Sequence, residues 1–168
     1  ITIGNTAPSA GTVTVTSTTD HDSDNNSGTA IAADTLQCNW NYNDVDGDQN
    51  DGTTVAWKIN GTAAGNGGTT LTGGFTRADV VTCTVTPSDR YDTGSPSSGN
   101  ITIGNTAPTA APVTVTSTTN ADKDNNSTTA IAADTLTCDW NYADVDNDLE
   151  DGTTVAWTIN STAAGDGG

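Results

Sequence analysis

Methionine is missing from the 168 residues, even at position 1, so the chain reads as an internal piece of a longer polypeptide. Glutamate occurs once (Glu150), histidine once (His21) and phenylalanine once (Phe75), and leucine only at Leu36, Leu71, Leu136 and Leu149. So few strong helix formers exclude a helical bundle or coiled coil and argue against an α/β enzyme. Four basic residues stand against 21 acidic ones, a net charge of −17. Nucleic acid and anionic membrane surfaces are therefore not partners. No apolar run approaches the ~18 residues of a spanning helix, and no signal peptide is present, so no membrane insertion is expected in this segment. Apolar residues make up 32 %, against ~45–50 % in ordinary globular domains. Any core must be thin.

Threonine dominates, at 35 residues, with 18 glycines beside it. The acidity is specific in kind: 20 of the 21 acids are Asp, and 14 of them are bunched. General solvating acidity would use Glu as well. Bunched Asp at alternate positions points to cation binding rather than diffuse surface charge.

An internal repeat organises the chain. Ile1-Thr-Ile-Gly-Asn-Thr-Ala-Pro8 recurs as Ile101-Thr-Ile-Gly-Asn-Thr-Ala-Pro108, and residues 1–68 match 101–168 without a gap at 52 of 68 positions. A period near 100 residues implies an array of separate domains rather than a solenoid. The expected organisation is the final strand and linker of a preceding repeat at 1–7, one complete domain at 8–107, and the first part of a second, incomplete domain at 108–168. The Asn-Thr-Ala-Pro step is the expected linker, because Pro stops strand pairing and restricts the residue before it.

Within one repeat, period-2 alternation marks short strands. Val13 and Val15 alternate with Thr. Leu36, Cys38, Trp40 and Tyr42 share a face, as do Val55, Trp57 and Ile59 before the Asn60-Gly61 turn. Leu71 and Phe75 mark weaker strands. Val81, Cys83 and Val85 form a strong strand that Pro87 is expected to end, and Ile101 and Ile103 form the last. About seven strands in ~100 residues predict an all-β antiparallel sandwich. Cys38 and Cys83 lie on inward faces with Trp57 between them in sequence, the order of the inter-sheet disulfide in immunoglobulin-type domains. A pair of free buried thiols is the alternative. Cys138 matches Cys38, and its partner is expected near position 183, beyond the chain end. A disulfide implies an oxidising, extracellular setting.

These residues carry a resemblance. Asp34-Thr-Leu-Gln-Cys38, Asp44-Val-Asp-Gly-Asp48, Thr54-Val-Ala-Trp57-Lys-Ile-Asn-Gly61, Asp79-Val-Val-Thr-Cys83-Thr-Val-Thr-Pro87 and the Ile101–Pro108 octapeptide together resemble the tandem Ig-like repeats of giant prokaryotic surface proteins. Those repeats are relatives of the PKD and bacterial Ig-like modules in adhesins, stalks and extracellular filaments. The resemblance covers the whole chain and implies tandem immunoglobulin-like sandwiches joined by short Pro-containing linkers, with a spacer or filament role. Two departures stand out. Val81, not Tyr, precedes the second cysteine by two, so no tyrosine corner is available there, and the Asp20–Asn26 connection is longer than usual.

Two Asp clusters are the candidate metal sites. Asp44, Asp46, Asp48 and Asp51 place four carboxylates within eight residues, and Asp144, Asp146, Asp148 and Asp151 repeat them. Asp20, Asp22 and Asp24 form the second set, repeated by Asp122 and Asp124 with Asn120 in the first place. Alternate side chains in a turn converge on one centre, which suits Ca²⁺ and its six to eight oxygen ligands. The twelfth position of the first cluster is Val55 rather than Glu, so it is no EF-hand. A solvated polar turn, with Asp favoured for local hydrogen bonds, is the alternative. In a sandwich of this kind the Asp44 turn lies where the chain enters and the Asp20 loop where it leaves, so Ca²⁺ is expected to stiffen a string of domains.

Asn25, Asn60, Asn100, Asn125, Asn126 and Asn160 each begin an N-x-S/T triplet in a turn or at a strand edge, positions that fit N-linked glycans on a secreted protein. Catalysis has little support: His21 is Ala121 in the second copy, Glu150 is Asn50 in the first, and Lys58 is Thr158. The chain therefore reads as a non-enzymatic structural segment of a cell-surface filament, stalk or fibre. Its partners are neighbouring copies of the same repeat, in one chain or in a filament. The competing reading is an adhesin or accessory module that grips a carbohydrate or protein. It is weakened because Trp40, Tyr42 and Trp57 fall on inward faces and leave only Tyr91 uncommitted.

Overall fold

The computed structural model describes residues 1–65 and 67–166. Every regular element among them is a β-strand, and every ladder between strands is antiparallel. The chain divides into two compact units, Ile1–Thr106 and Ala107–Gly168.

The first unit holds β1 (Thr14–Ser17), β2 (Thr35–Asn39), β3 (Gly52–Ile59), β4 (Thr62–Ala64), β5 (Thr70–Thr72), β6 (Val80–Asp89) and β7 (Ser97–Thr102). They form one sheet in the order β1-β2-β5 and another in the order β4-β3-β6-β7. The alternation in sequence is the alternation in space. Val81, Cys83 and Val85 are fully buried on β6, while Thr82, Thr84 and Thr86 between them are half-buried on its other face. Leu36, Cys38, Trp57, Val81, Cys83 and Val85 meet in one apolar cluster to which both sheets contribute. Cys38 of β2 and Cys83 of β6 form a disulfide with Cα atoms 6.0 Å apart, so the two sheets are stapled through the middle of that cluster. Trp57 pairs with Cys83 across the β3–β6 ladder. Its indole N–H donates to the carbonyl oxygen of Gly68 at 2.8 Å, which lets a large aromatic be buried without an orphaned donor.

Turn chemistry sets the connections. Asn60 and Gly61 both adopt positive φ, 49° and 82°, the left-handed pair required by a two-residue hairpin between right-twisted strands. Gly99 on β7 has no room for a side chain, because a Cβ there would collide with the backbone carbonyl of Val13. The start of β1 thus packs directly against β7.

Some strand expectations are corrected. Trp40 and Tyr42 lie past the end of β2 at Asn39, with Trp40 still packed against the core. Pro87 does not end its strand: β6 runs on to Asp89 with Pro87 buried inside it. The ladder to β7 has already stopped at Val85, and the β3–β6 register is irregular between Gly52 and Thr54, so Pro87 sits where no N–H is needed. Phe75 is a core residue but lies in no strand.

The second unit holds β8 (Thr109–Ser117) paired with β9 (Leu136–Ala143), and β10 (Ala156–Ile159) paired with β11 (Thr162–Asp166). Val115 pairs with Cys138 and Ser117 with Leu136, the registers of Val15 with Cys38 and Ser17 with Leu36 shifted by one repeat. The same sequence folds the same way locally.

Candidate metal centres

The loop after β1 brings Asp20, Asp22 and Asp24 together. One carboxylate oxygen from each lies within 4.8 Å of the others, the one such acidic group among the described residues. Ligands at ~2.3–2.6 Å from a single Ca²⁺ have this spacing. The loop is wound by its own side chains: the Asn25 N–H donates to Asp20, the Asp24 N–H to Asp22 Oδ1 and the Asn26 N–H to Asp24 Oδ1. Ser23 and Asn25 take positive φ to allow it. Asp22 feels the crowding. Burial, with repulsion from Asp24 and Asp20, pushes its carboxyl above the ordinary value despite the hydrogen bond from the Asp24 N–H.

The second copy is weaker. Asn120 replaces Asp20, and its amide exchanges hydrogen bonds with Asn125 through both side chain and backbone. Asp124 accepts from Thr129 Oγ1 and the Asn126 N–H, and these bonds hold it below the usual carboxylate range. Asp24 accepts the matching bonds from Thr29 and Asn26, so the copies differ in having two carboxylates here rather than three.

Asp34, absent from the sequence-derived site residues, anchors this loop. It is 2 % exposed, just before β2. Its Oδ1 accepts from Thr19 Oγ1 at 3.0 Å and lies 3.0 Å from His21 Nδ1, while Oδ2 accepts from the Ile31 N–H at 3.1 Å. Burial alone would raise its pKa; the bonds from His21, Ile31, Thr19 and Ser17 outweigh it and hold the carboxyl low. Asp134 makes the matching bonds to Thr119, Ile131 and the Ala121 backbone. The available signal was the identical Ile-Ala-Ala-Asp-Thr-Leu stretch in both copies, an acid embedded in apolar sequence.

At the opposite end, after β2, Asp44 caps its own turn: the Asp46 and Asp48 N–H groups donate to its Oδ1 at 2.8 and 3.1 Å. Its Oδ2 is buried and accepts no hydrogen bond. Gly47 turns with φ 81°, and in the second copy Asn147 takes φ 63° in its place. There the Asp146 and Asp148 N–H groups again donate to Asp144 Oδ1, and Asp144 Oδ2 is again buried without a partner. The Asp51 N–H donates to Ser88 O, and Asp51 forms a bridge with Asp89 just before β3.

The first turn gains a member that the sequence did not suggest. Burial, and repulsion by Asp44, Asp89 and Asp46, push Asp48 up. Burial with Asp44, Asp89 and Asp48 likewise raises the Tyr42 hydroxyl. Asp89 comes from the far end of β6 and is 2 % exposed. Asp89 and Asp92 together hold the entering chain: Asn5 Nδ2 donates to a carboxylate oxygen of each at 2.9 Å. The Thr6 N–H donates to Asp46 Oδ2 at 2.6 Å. The Asp92 N–H, then Asn5 and the Tyr91 N–H, keep Asp89 below its usual range. Tyr91 itself is exposed, with Arg90 over its ring at 5.8 Å. At the other end the Gly104 N–H donates to Ala30 O at 2.7 Å, so the chain leaves the first unit beside the Asp20–Asp34 loop.

All six sequon asparagines are exposed. Asn60 is engaged, donating to Asp79 at 2.6 Å and accepting from the Val80 N–H, whereas Asn100 projects from β7. Comparison of the chain with family models, curated proteins and solved structures gives no match.

Proposed function

We propose that this chain is a structural segment of a long extracellular protein of tandem immunoglobulin-like domains, forming a surface filament, stalk or fibre stiffened by disulfides and Ca²⁺. The observation that carries the reading is the grip on the entering chain. Asn5 and Thr6, in the octapeptide that the sequence repeats at 101–108, are fixed by Asp46, Asp89 and Asp92 rather than left free. A domain that clamps its own entry strap with carboxylates sets the direction of the chain, which is what a stiff spacer needs. The strand order, the Cys38–Cys83 staple and the Trp57 beside it support the immunoglobulin-like assignment. A disulfide is the mark of an oxidising environment, and exposed sequons on turns and a strand edge accord with glycans at a cell surface.

Ca²⁺ is the cation that suits all-oxygen loops of this kind. Asp20, Asp22 and Asp24 would hold one ion, and the Asp44 turn, whose carboxylates are not drawn to that spacing, would have to close around a second. Bound, the ion supplies charge neutralisation and no reaction. The test is thermal melting in EDTA and in about 2 mM CaCl₂, a concentration suited to extracellular sites. Calcium is expected to raise the melting temperature by about 5 °C or more. Equal melting in both buffers overturns the cation part of the reading.

A further inference from the structure

The loop after β1 and the loop after β8 are copies that differ at four positions. Asp20, His21, Ser23 and Gly28 of the first are Asn120, Ala121, Lys123 and Thr128 of the second. Three carboxylates become two beside an ammonium, so the formal charge of −3 over 20–24 is −1 over 120–124. Thr128 also completes an N-x-T triplet with Asn126, where the first copy has Asn26-Ser27-Gly28. Asn26 and Asn126 close the same turn, each Oδ1 accepting from the N–H two residues on at 3.0 Å. Only in the second copy does a hydroxyl join in, with Thr128 Oγ1 donating to Asn126 Oδ1 at 2.6 Å. The bonds of Asn126 run through Oδ1 and its backbone, which leaves Nδ2 without a partner among the described residues. Residues 121–130 are all exposed.

The other sequons lack this arrangement. Asn60 Nδ2 donates to Asp79, and its Oδ1 accepts from the Val80 N–H. Thr62, Thr102 and Thr162, the hydroxyl residues of the Asn60, Asn100 and Asn160 triplets, are held in ladders opposite Ile59, Val80 and Ile159. Asn25 Nδ2 donates to Ser23 O, and Asn125 Oδ1 accepts from Asn120 Nδ2. Their hydroxyl residues, Ser27 and Ser127, are tied through their carbonyls to the Ser17 and Ser117 N–H groups.

We propose that Asn126 is the preferred N-glycan acceptor of the folded chain, so that the repeat gives this loop to a cation in one copy and to a glycan in the next. The proposal rests on the extracellular reading above and narrows its six sequons to one. The donor is a lipid-phosphate-linked oligosaccharide delivered by an oligosaccharyltransferase. Asn126 Nδ2 bonds to the anomeric carbon as the sugar–phosphate C–O bond breaks. The lipid phosphate leaves with the electron pair, and one amide proton passes to a base of the transferase. Hydrogen bonds to Oδ1 stabilise the amide as that proton departs. The smaller negative charge of the loop also lowers its repulsion of an anionic donor. A transferase must hold the asparagine and the hydroxyl together, so a triplet fixed in a ladder has to open first.

The test treats the folded, disulfide-bonded 168-residue chain with a lipid-pyrophosphate-linked oligosaccharide and a purified oligosaccharyltransferase that reads N-x-S/T alone. Glycopeptide mass spectrometry gives the initial rate at each sequon. Asn126 is expected to react at least about tenfold faster than Asn60, Asn100 or Asn160, whose ladders must open, and faster than Asn25 or Asn125. Reducing, alkylating and unfolding the chain should erase that preference. Comparable rates at Asn60 or Asn100 in the folded chain overturn the proposal, as does the same ranking in the unfolded chain. So does a folded chain left unmodified at Asn126 under conditions that modify an Asp122–Thr129 peptide. Calcium melting does not enter these rates, so the cation reading and this one fail separately.

Discussion

Asp34 and Asp48 are both carboxylates beside turns, and the fold treats them oppositely. Asp34 collects donors from Thr19, His21 and Ile31, and replacing it by Ala leaves those donors facing a vacated, buried position. Asp34→Ala should lower stability at neutral pH by about 2 kcal/mol. Because its folded pKa is depressed, the wild-type advantage is full above the unfolded value of about 4 and fades as pH falls through the lower folded value. Denaturant melts of both proteins across the acid range check the sign; a gap independent of pH would mean that the carboxylate charge plays no part. Asp48 runs the other way. Burial with its acidic neighbours raises it, so the ionised side chain opposes folding at neutral pH, and stability is regained as pH falls through its folded value. Asp48→Asn should therefore melt higher than wild type in EDTA and gain less from calcium. A variant that melts lower in EDTA would show that Asp48 is a structural acceptor instead.

At the scale of elements, the β2–β6 staple matters because so little else holds the sheets. The cluster is built largely from Val, Leu and Ile with Trp57 and Phe75, and the alternate face of β6 is Thr82, Thr84 and Thr86. Closing a loop of sequence separation 45 removes conformational freedom from the unfolded chain worth about 4 kcal/mol on the chain-entropy account. For a domain of ordinary marginal stability this is a large share of the whole. The double variant Cys38→Ala with Cys83→Ala should unfold at markedly lower denaturant, and wild type under reductant should match it. Unchanged midpoints in both would show the Thr-rich ladders to be sufficient alone. The acidic turns act at this scale too. The Asp20 loop joins β1 to β2 and the Asp44 turn joins β2 to β3, so they occupy opposite ends of the first unit because β2 lies between them.

For the whole molecule, the charge of −17 is the dominant long-range fact. Self-repulsion at this density opposes compaction, and ordinary salt screens it over a Debye length of ~10 Å at 0.1 M. Calcium must therefore be compared with sodium chloride at matched ionic strength. The part of the melting-temperature rise that sodium reproduces is screening. The part it does not reproduce belongs to the Asp20–Asp22–Asp24 group and the Asp44–Asp48–Asp89 end. Glutamate could serve screening as well as Asp does, so the near-exclusive use of Asp is itself a sign of short, turn-forming carboxylates with local geometry to satisfy.

The repeat was legible by aligning the chain with itself, and the disulfide partners from the Cys–Trp–Cys order of immunoglobulin-type domains. The all-β class and the period of the strands were legible from local pattern, since side-chain alternation and turn preference act over a few positions. The Asp20 loop was legible for the same reason, since its three carboxylates converge through bonds within one turn. Only the tertiary structure decided the rest. It set Asp51 in a bridge with Asp89 at the far end of β6. It brought Asp89 and Asp92 from the end of β6 to Asn5, more than eighty residues away in sequence. It carried β6 through Pro87 because the ladder to β7 had ended at Val85 and the β3 register is irregular there. Burial itself belongs to this level: Val15 of β1 and Val115 of β8 each stand opposite a cysteine in the same register, yet the first is 6 % exposed and the second 54 %. A strand's pattern states which face is apolar, and only distant chain arriving on that face determines whether water is removed from it.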